Sequence, residues 1–326
     1  MIPLSVLDLV SVRDGGTPAD ALAETAAAAK VAEDAGYKRY WTAEHHGMEG
    51  LVGGAVSVVL AHIGHATSKI RIGAGGVMLP NHNPLVIAEQ FGTLNAMFPG
   101  RIDLGLGRAP GADSRIAHAL RKDLMRAADQ FPQDVVELQA YFAGDSALPI
   151  KAGVAAGADV DMWVLGSSLF GAQLAAHLGL PYAFASHFAP ALLDSALKMY
   201  RDTFRPSAVL AKPHVMLGMT VLAAETDEEA NFLSTSMDQS FVAYRTGRSS
   251  GLKPPVAGFR DTLHPGDVAM LDQMRAVRAV GGPETIRREI TQFVERTGAD
   301  ELMVAGSVYD QVARHRSLAI TMEALG

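Results

Sequence analysis

The residues able to do acid–base, phosphate or metal chemistry fall in clusters, and nearly every cluster follows a short apolar run. Asp8 stands near the end of the first run. Glu44-His45-His46 follow Tyr40-Trp41-Thr42-Ala43, and Leu79-Pro80-Asn81-His82 follow a glycine-rich run. Arg108 follows Ile102–Gly107, and Gly166-Ser167-Ser168 follow Met162-Trp163-Val164-Leu165. His187 and Ser307 follow two later runs. Histidine changes charge near neutral pH, so His45 at the end of an apolar run can hold or pass a proton. Adjacent histidines point in different directions and rarely ligate one ion together; helical zinc pairs favour i,i+4 spacing. No metal site is therefore expected from His45 and His46. His62 and His65, three apart in an apolar helical pattern, read as packing residues.

Two clusters suit an anion. A strand that runs through Gly166-Ser167-Ser168 into a helix directs amide N–H groups and two hydroxyls at one point, as a phosphate cradle requires. An ordinary serine N-cap explains that segment alone more simply. Arg108 at the end of its strand can grip a phosphate through two parallel hydrogen bonds. The run Gly105-Leu106-Gly107 invites a dinucleotide-fold reading. However, Pro110 stands where that motif needs a third glycine, and no acidic residue closes a second strand about 20 residues on, so that reading is rejected.

The run Gly73-Ala74-Gly75-Gly76-Val77-Met78 puts three glycines inside a strand, which weakens it unless another group must approach the backbone closely. A flat ligand lying against this strand supplies such a reason. A bulge that bends the sheet supplies another.

The elements that must carry these residues alternate along the chain. Strands are predicted at Ile2–Val10, Arg39–Ala43, Ile70–Leu79, Ile102–Gly107, Met162–Gly166, Tyr182–Ser186, Val215–Leu222 and Glu301–Ala305. Most are too continuously apolar for a sheet with one wet face, as expected of parallel strands covered on both sides. Helices between them are punctuated by Thr17-Pro18-Ala19-Asp20 and Gly36, by Asn83-Pro84 and Pro99-Gly100, by Thr226 with Glu229, and by Pro283 and Gly298. About eight strands in strict alternation with helices predict a single (β/α)8 barrel spanning residues 1–326, with an open doubly wound sheet as its rival. Two stretches exceed ordinary loop length, 144–161 and 246–267. The second mixes Gly, Pro, Ser and charge and is a candidate lid over the site; an inert surface excursion is the other reading.

Composition narrows the function classes. With 48% hydrophobic and 19% charged residues, the 326-residue chain can build a large core and is not a disordered tail. A net charge of −7 with no long basic run argues against nucleic acid and anionic membranes as partners. There is no cysteine, which excludes disulfides, thiolate nucleophiles and iron–sulfur clusters. The opening MIPLSVLDLV has no basic residue before Arg13 and reads as a strand, not a secretory signal, so a cytoplasmic location is expected.

Taken together, TAEHHG, IRIGAGGVMLPNHNPLVIAEQF, PGRIDLGLGRAPG, VLGSSLFGAQLAAHLGLPYAFASHF and VMLGMTVLAAETDEEA resemble, in order and spacing, the bacterial luciferase-like flavin-dependent monooxygenases. The resemblance covers nearly the whole chain and is strongest from Trp41 to Gly111. It implies a (β/α)8 TIM barrel that binds FMN at the C-terminal end of its strands, usually as a homodimer. It matches Gly75-Gly76 to a non-prolyl cis peptide lying against the isoalloxazine ring. Arg108 and Gly166-Ser167-Ser168 match the FMN phosphate site, His45 the active-site histidine, and Glu44 its acidic neighbour.

The implied reaction uses reduced FMN and O2 through a flavin C4a-hydroperoxide, inserting one oxygen atom into a small organic substrate and releasing the other as water. The chain offers no nicotinamide site, so the resemblance also implies a separate flavin reductase as partner. Luciferase carries a cysteine just before the phosphate-binding arginine; here that residue is Gly107, and light emission is not implied. A deazaflavin (F420)-dependent hydride-transfer enzyme and a flavin-binding protein without turnover are the alternatives. Apolar residues near strand ends (Leu7, Met78, Leu79, Phe188) point to an apolar substrate.

Overall fold

The computed structural model describes residues 2–108, 118–120, 123–246, 251–274 and 276–326. Nine strands lie among the described residues: β1 (Leu4–Asp8), β2 (Arg39–Thr42), β3 (Arg71–Met78), β4 (Ile102–Gly107), β5 (Val160–Gly166), β6 (Tyr182–Phe184), β7 (Val215–Ala223), β8 (Arg278–Gly281) and β9 (Glu301–Ala305). All pairings between them are parallel. The order β6-β5-β4-β3-β2-β1-β9-β7, closed by β6 against β7, makes an eight-stranded barrel. Its eight strands are the eight read from the sequence, and the open-sheet rival is excluded by the closure.

Strand β8 was not anticipated. Its four residues pair only with Thr220–Ala223 of β7, a stretch that starts at the last residue paired with β9 and runs beyond it. So short a run, begun by an arginine, carries no periodic signal of its own.

Ten helices can be placed among the described residues. Those that bear on the argument are α1 (Pro18–Ala35), α2 (Val56–Ala66), α3 (Pro84–Met97), α4 (Leu124–Ala143), α5 (Leu169–Leu178), α6 (Leu193–Thr203), α7 (Asp227–Arg245), α8 (Pro265–Met274), α9 (Pro283–Thr297) and α10 (Gln311–Leu325). Their ends follow the local chemistry. The Thr17 hydroxyl accepts the Asp20 amide while the Asp20 carboxylate accepts the Thr17 amide, and Gly36 stops α1 in the left-handed conformation. Pro283 opens α9, whose buried Ile286, Ile290 and Phe293 face inward, and Gly298 ends it.

The core has two layers. One lies between barrel and helices. The other fills the barrel with Trp41, Trp163, Met216 and Met303, against which Leu7, Leu165 and Ala183 pack. The two indoles meet edge to face with centroids 5.5 Å apart.

The stretch 246–267 is only partly loop. Residues 247–250 lie outside the described residues. Leu252 hydrogen-bonds Val12 and Asp14 after β1, Phe259–Thr262 form a short 3-10 turn, and α8 begins at Pro265. No described helix is long and apolar enough to cross a membrane.

Candidate active site

Parallel neighbours β2, β3, β4 and β5 release their C-terminal ends side by side, so the segments after them form one arc of the barrel mouth. Register fixes their level: Met78 of β3 stands opposite Gly107 of β4, and Gly107 opposite Leu165 of β5. The Glu44 amide donates to the Gly76 carbonyl at 3.3 Å, which brings the end of β2 onto the same arc. Asp8, at the end of β1, takes a structural part instead. It is buried, and it pairs with Arg314 at 2.8 Å and accepts from the Tyr40 and Thr25 hydroxyls at 2.6 and 2.7 Å. Burial raises its pKa, but Arg314 and these hydrogen bonds outweigh that and hold the carboxyl ionised.

Glu44 is likewise committed. Its Oε1 lies 2.6 Å from His46 Nε2 and 2.8 Å from His82 Nε2, and its Oε2 accepts the Met78 amide at 3.0 Å. Burial pushes its pKa up; the bonds from His82 and His46 and the Met78 amide prevail and lower it below the usual carboxylate range. The carboxylate therefore ties the end of β2 to the turn after β3. His82 reaches it because Pro80 and Asn81 form a 3-10 turn closed by the His82 amide on the Leu79 carbonyl. The sequence showed His82 at a strand end but gave no sign that it would meet His46, 36 residues away.

His45 points differently from His46, as adjacent side chains do. Its Nδ1 is buried and makes no well-formed hydrogen bond. Burial lowers its pKa below the ordinary histidine value, and the Ala43 carbonyl and the Glu44 charge offset this only in part. At neutral pH the imidazole is neutral, able to give or take a proton.

The Gly75–Gly76 peptide bond is cis. The register of β3 on β4 shifts between Gly75 and Val77, so the glycine run contains a sheet irregularity as well. All three of its glycines answer to close packing. A side chain at Gly73 would meet Asp103 and the Trp41 indole nitrogen at 2.6–2.7 Å, and one at Gly76 would meet the Gly105 carbonyl oxygen at 2.7 Å. A side chain at Gly75 would meet Leu7 and Trp41 at 2.9 Å, and Gly75 also borders a hollow of about 60 Å³, lined mainly by Leu7, Trp41, Leu165, Met216, Met303 and His187. His187 Nδ1 is buried without a hydrogen-bond partner, and burial alone pushes its pKa down to about 4. Sequence reasoning placed His187 at a strand end without assigning it a role.

At the other side of the arc, the Arg108 guanidinium stacks over the Phe170 ring, 4.1 Å from its centroid. Phe170 lies in the first turn of α5, whose N-cap is Ser168. The Ser168 side chain makes no capping hydrogen bond, so the plain serine cap that would explain the segment is absent. Arg108 thus lies against the first turn of α5, whose N-terminal amides follow the uncapped Ser168, and cationic and amide donors of the kind suited to a phosphate stand near one another. Residues 109–117, which follow Arg108, lie outside the described residues.

A flavin phosphate and ring match these groups in kind: cationic and amide donors at one end, and at the other an apolar hollow bordered by Gly75 and by the unpartnered His187 nitrogen. Comparison with known proteins bears on the family and the fold. The model of the luciferase-like monooxygenase family matches residues 2–301. A protein named luciferase-like monooxygenase from Escherichia coli (strain K12) is 45% identical over 323 residues, covering 99% of this chain and 96% of that protein. The crystal structure of apo-MsnO8 superposes with a TM-score of 0.92 at 35% identity, over 99% of this chain and 98% of that one. The oxygenating constituent of 3,6-diketocamphane monooxygenase from Pseudomonas putida, in complex with FMN, shares the fold with a TM-score of 0.76. It does so at 16% identity, over 99% of this chain and 98% of that one.

Proposed function

Because the chain belongs to the luciferase-like monooxygenase family, we propose that it is an FMN-dependent monooxygenase acting on a small, apolar organic substrate. The observation that carries this reading is the single arc on which adjacent strands place His45, Gly75–Gly76, Arg108 and Gly166-Ser167-Ser168. Arg108, Ser167, Ser168 and the amides opening α5 hold the FMN phosphate, and Gly75–Gly76 receive the flavin ring. When bound in its reduced form, FMN supplies the electrons and activates O2, so that one oxygen atom enters the substrate and the other leaves as water.

The chain's own residues then have distinct tasks. His45, neutral and short of a partner, exchanges a proton with the oxygen that is being activated or released. Glu44 acts through others, tying the β2 end to the segment that carries Gly76. The apolar hollow beside Gly75 keeps water from the reacting centre. The segment 246–267 serves as a cover whose described part is already fastened after β1. In this proposal reduced FMN comes from a separate reductase, and the chain works as a homodimer, which light scattering of the purified protein would test.

The deciding experiment mixes the protein anaerobically with one equivalent of photoreduced FMN and then with O2, following absorbance by stopped flow. The expected result is a transient species, distinct from reduced and oxidised flavin, that outlives free reduced FMN under the same conditions. Reoxidation at the free-flavin rate with no transient would overturn the proposal. Hydride transfer to added F420 would then mark the alternative enzyme, and tight oxidised-flavin binding without oxygen reactivity would mark a binding protein.

A further inference from the structure

We propose that Glu44, His46 and His82 form a site for one borderline divalent cation of the zinc(II), cobalt(II) or nickel(II) class at the rim of the barrel mouth. The ligand atoms available, one carboxylate oxygen and two imidazole nitrogens, all lie within 4.8 Å of one another, and among the described residues no other group of three such side chains comes as close. Two imidazoles with one carboxylate select a borderline ion over magnesium or calcium, which favour oxygen ligands alone.

The site is built rather than accidental. The Glu44 side chain is 1% exposed, while His46 and His82 are 24% and 27% exposed, so the charge is buried and both rings reach the surface from which an ion would arrive. His46 lines a cavity of about 500 Å³ that also touches His45, Met48 and Glu49, which leaves room for water as a fourth ligand. Glu44 is oriented from behind by the Met78 amide on its second oxygen, and His82 is set by the turn its own amide closes. Such outer contacts fix ligand direction in metal sites.

The distances place the cluster in its ion-free form. Oxygen and nitrogen stand 2.6 and 2.8 Å apart, as across hydrogen bonds. Around an ion with bonds of about 2.0–2.1 Å, tetrahedral ligands lie roughly 3.3 Å from one another. Binding requires the two rings to open by roughly 0.5–0.7 Å and each Nε2 proton to pass to Nδ1, or to solvent with Nδ1 re-protonated. The ion then takes over from two bridging protons the task of holding the ends of β2 and β3 together.

The test uses tag-free, flavin-free, chelator-treated full-length protein, titrated with cobalt(II) and separately with zinc(II) by calorimetry and visible absorbance. The expected result is one ion per chain, with cobalt(II) bands of a nitrogen/oxygen site. Affinity should fall at least about tenfold in each of His46→Ala, His82→Ala and Glu44→Gln, since loss even of an outer contact costs 10–100-fold. His62→Ala, on helix α2, should bind as the unaltered protein does. Zinc(II) should also shield His46 and His82 of the unaltered protein from diethyl pyrocarbonate, read by peptide mass, which needs no variant to fold. Absence of saturable binding, one-to-one binding that persists in both histidine variants, or labelling unchanged by zinc(II) would overturn the proposal. No readout involves flavin, so the result is independent of the monooxygenase reading.

Discussion

The two ends of the barrel hold similar kinds of residue in opposite conditions. At the N-terminal end, Arg39 donates to Glu301 at 2.9 Å and to Asp103 at 2.8 Å. Asp103 also accepts from Arg71 and from the Trp41 indole at 2.8 Å, and Glu301 from Ser5 at 2.5 Å and Lys38 at 2.9 Å. At the C-terminal end, His45 keeps a buried nitrogen without a partner, and so does His187 beside an apolar hollow. A closed polar network holds strands in register, whereas buried unpaired groups cost stability and are kept where something must bind. Under the proposed function, the difference separates residues that make the barrel from residues that use it.

The largest effect should come from opening the closed end. Asp103→Ala leaves two guanidinium groups short of a partner and should cost about 3–5 kcal/mol in urea unfolding. A milder result, near that of an ordinary surface substitution, would mean the base is less tightly coupled than its geometry. The same end predicts acid sensitivity. Burial raises the pKa of Glu301, but His214, Arg39, Ser5 and Lys38 outweigh it and hold the group at about 2. A depressed carboxylate contributes stability that is complete above its ordinary value of 4.5 and is lost as pH falls towards 2, here roughly 3 kcal/mol. Melting temperature against pH should therefore drop over that window, and Glu301→Gln, though less stable at neutral pH, should flatten the drop.

The open end should respond in function and not in stability. His45→Ala should slow oxygenation by about a hundredfold or more while unfolding free energy stays within about 1 kcal/mol. A large loss of stability would place His45 with the structural residues. Arg108→Ala should weaken FMN binding by roughly 10–100-fold through loss of a charged hydrogen bond, measured by fluorescence quenching, and should leave riboflavin, which has no phosphate, nearly unaffected. The smallest and sharpest comparison lies between the two buried indoles. Trp41 Nε1 donates to Asp103, whereas Trp163 Nε1 has no partner. Trp41→Phe should therefore cost about 1–2 kcal/mol more than Trp163→Phe.

Much of this architecture is written locally. The continuous apolar runs mark all eight barrel strands, because strands covered on both faces need no polar alternation. Thr17, Asp20, Pro283 and Gly298 mark helix ends, because capping acts within four residues. The order of the parallel strands also makes the arc at the mouth readable, since active groups of such barrels follow the strands. The resemblance, carried by motifs spread from Trp41 onward, then pointed to the cofactor and to His45.

What required the tertiary structure is what depends on distance in space between residues far apart in sequence. The sequence by itself determined which residues stand at strand ends, since that follows from hydrophobic pattern and turn chemistry. Only the folded barrel decided that Glu44 would be occupied by His46 and His82, that Gly73 would yield its space to Trp41 and Asp103, and that His187 would be left without a partner. Those outcomes depend on barrel closure, which sets which strand ends face one another, and no local pattern encodes that.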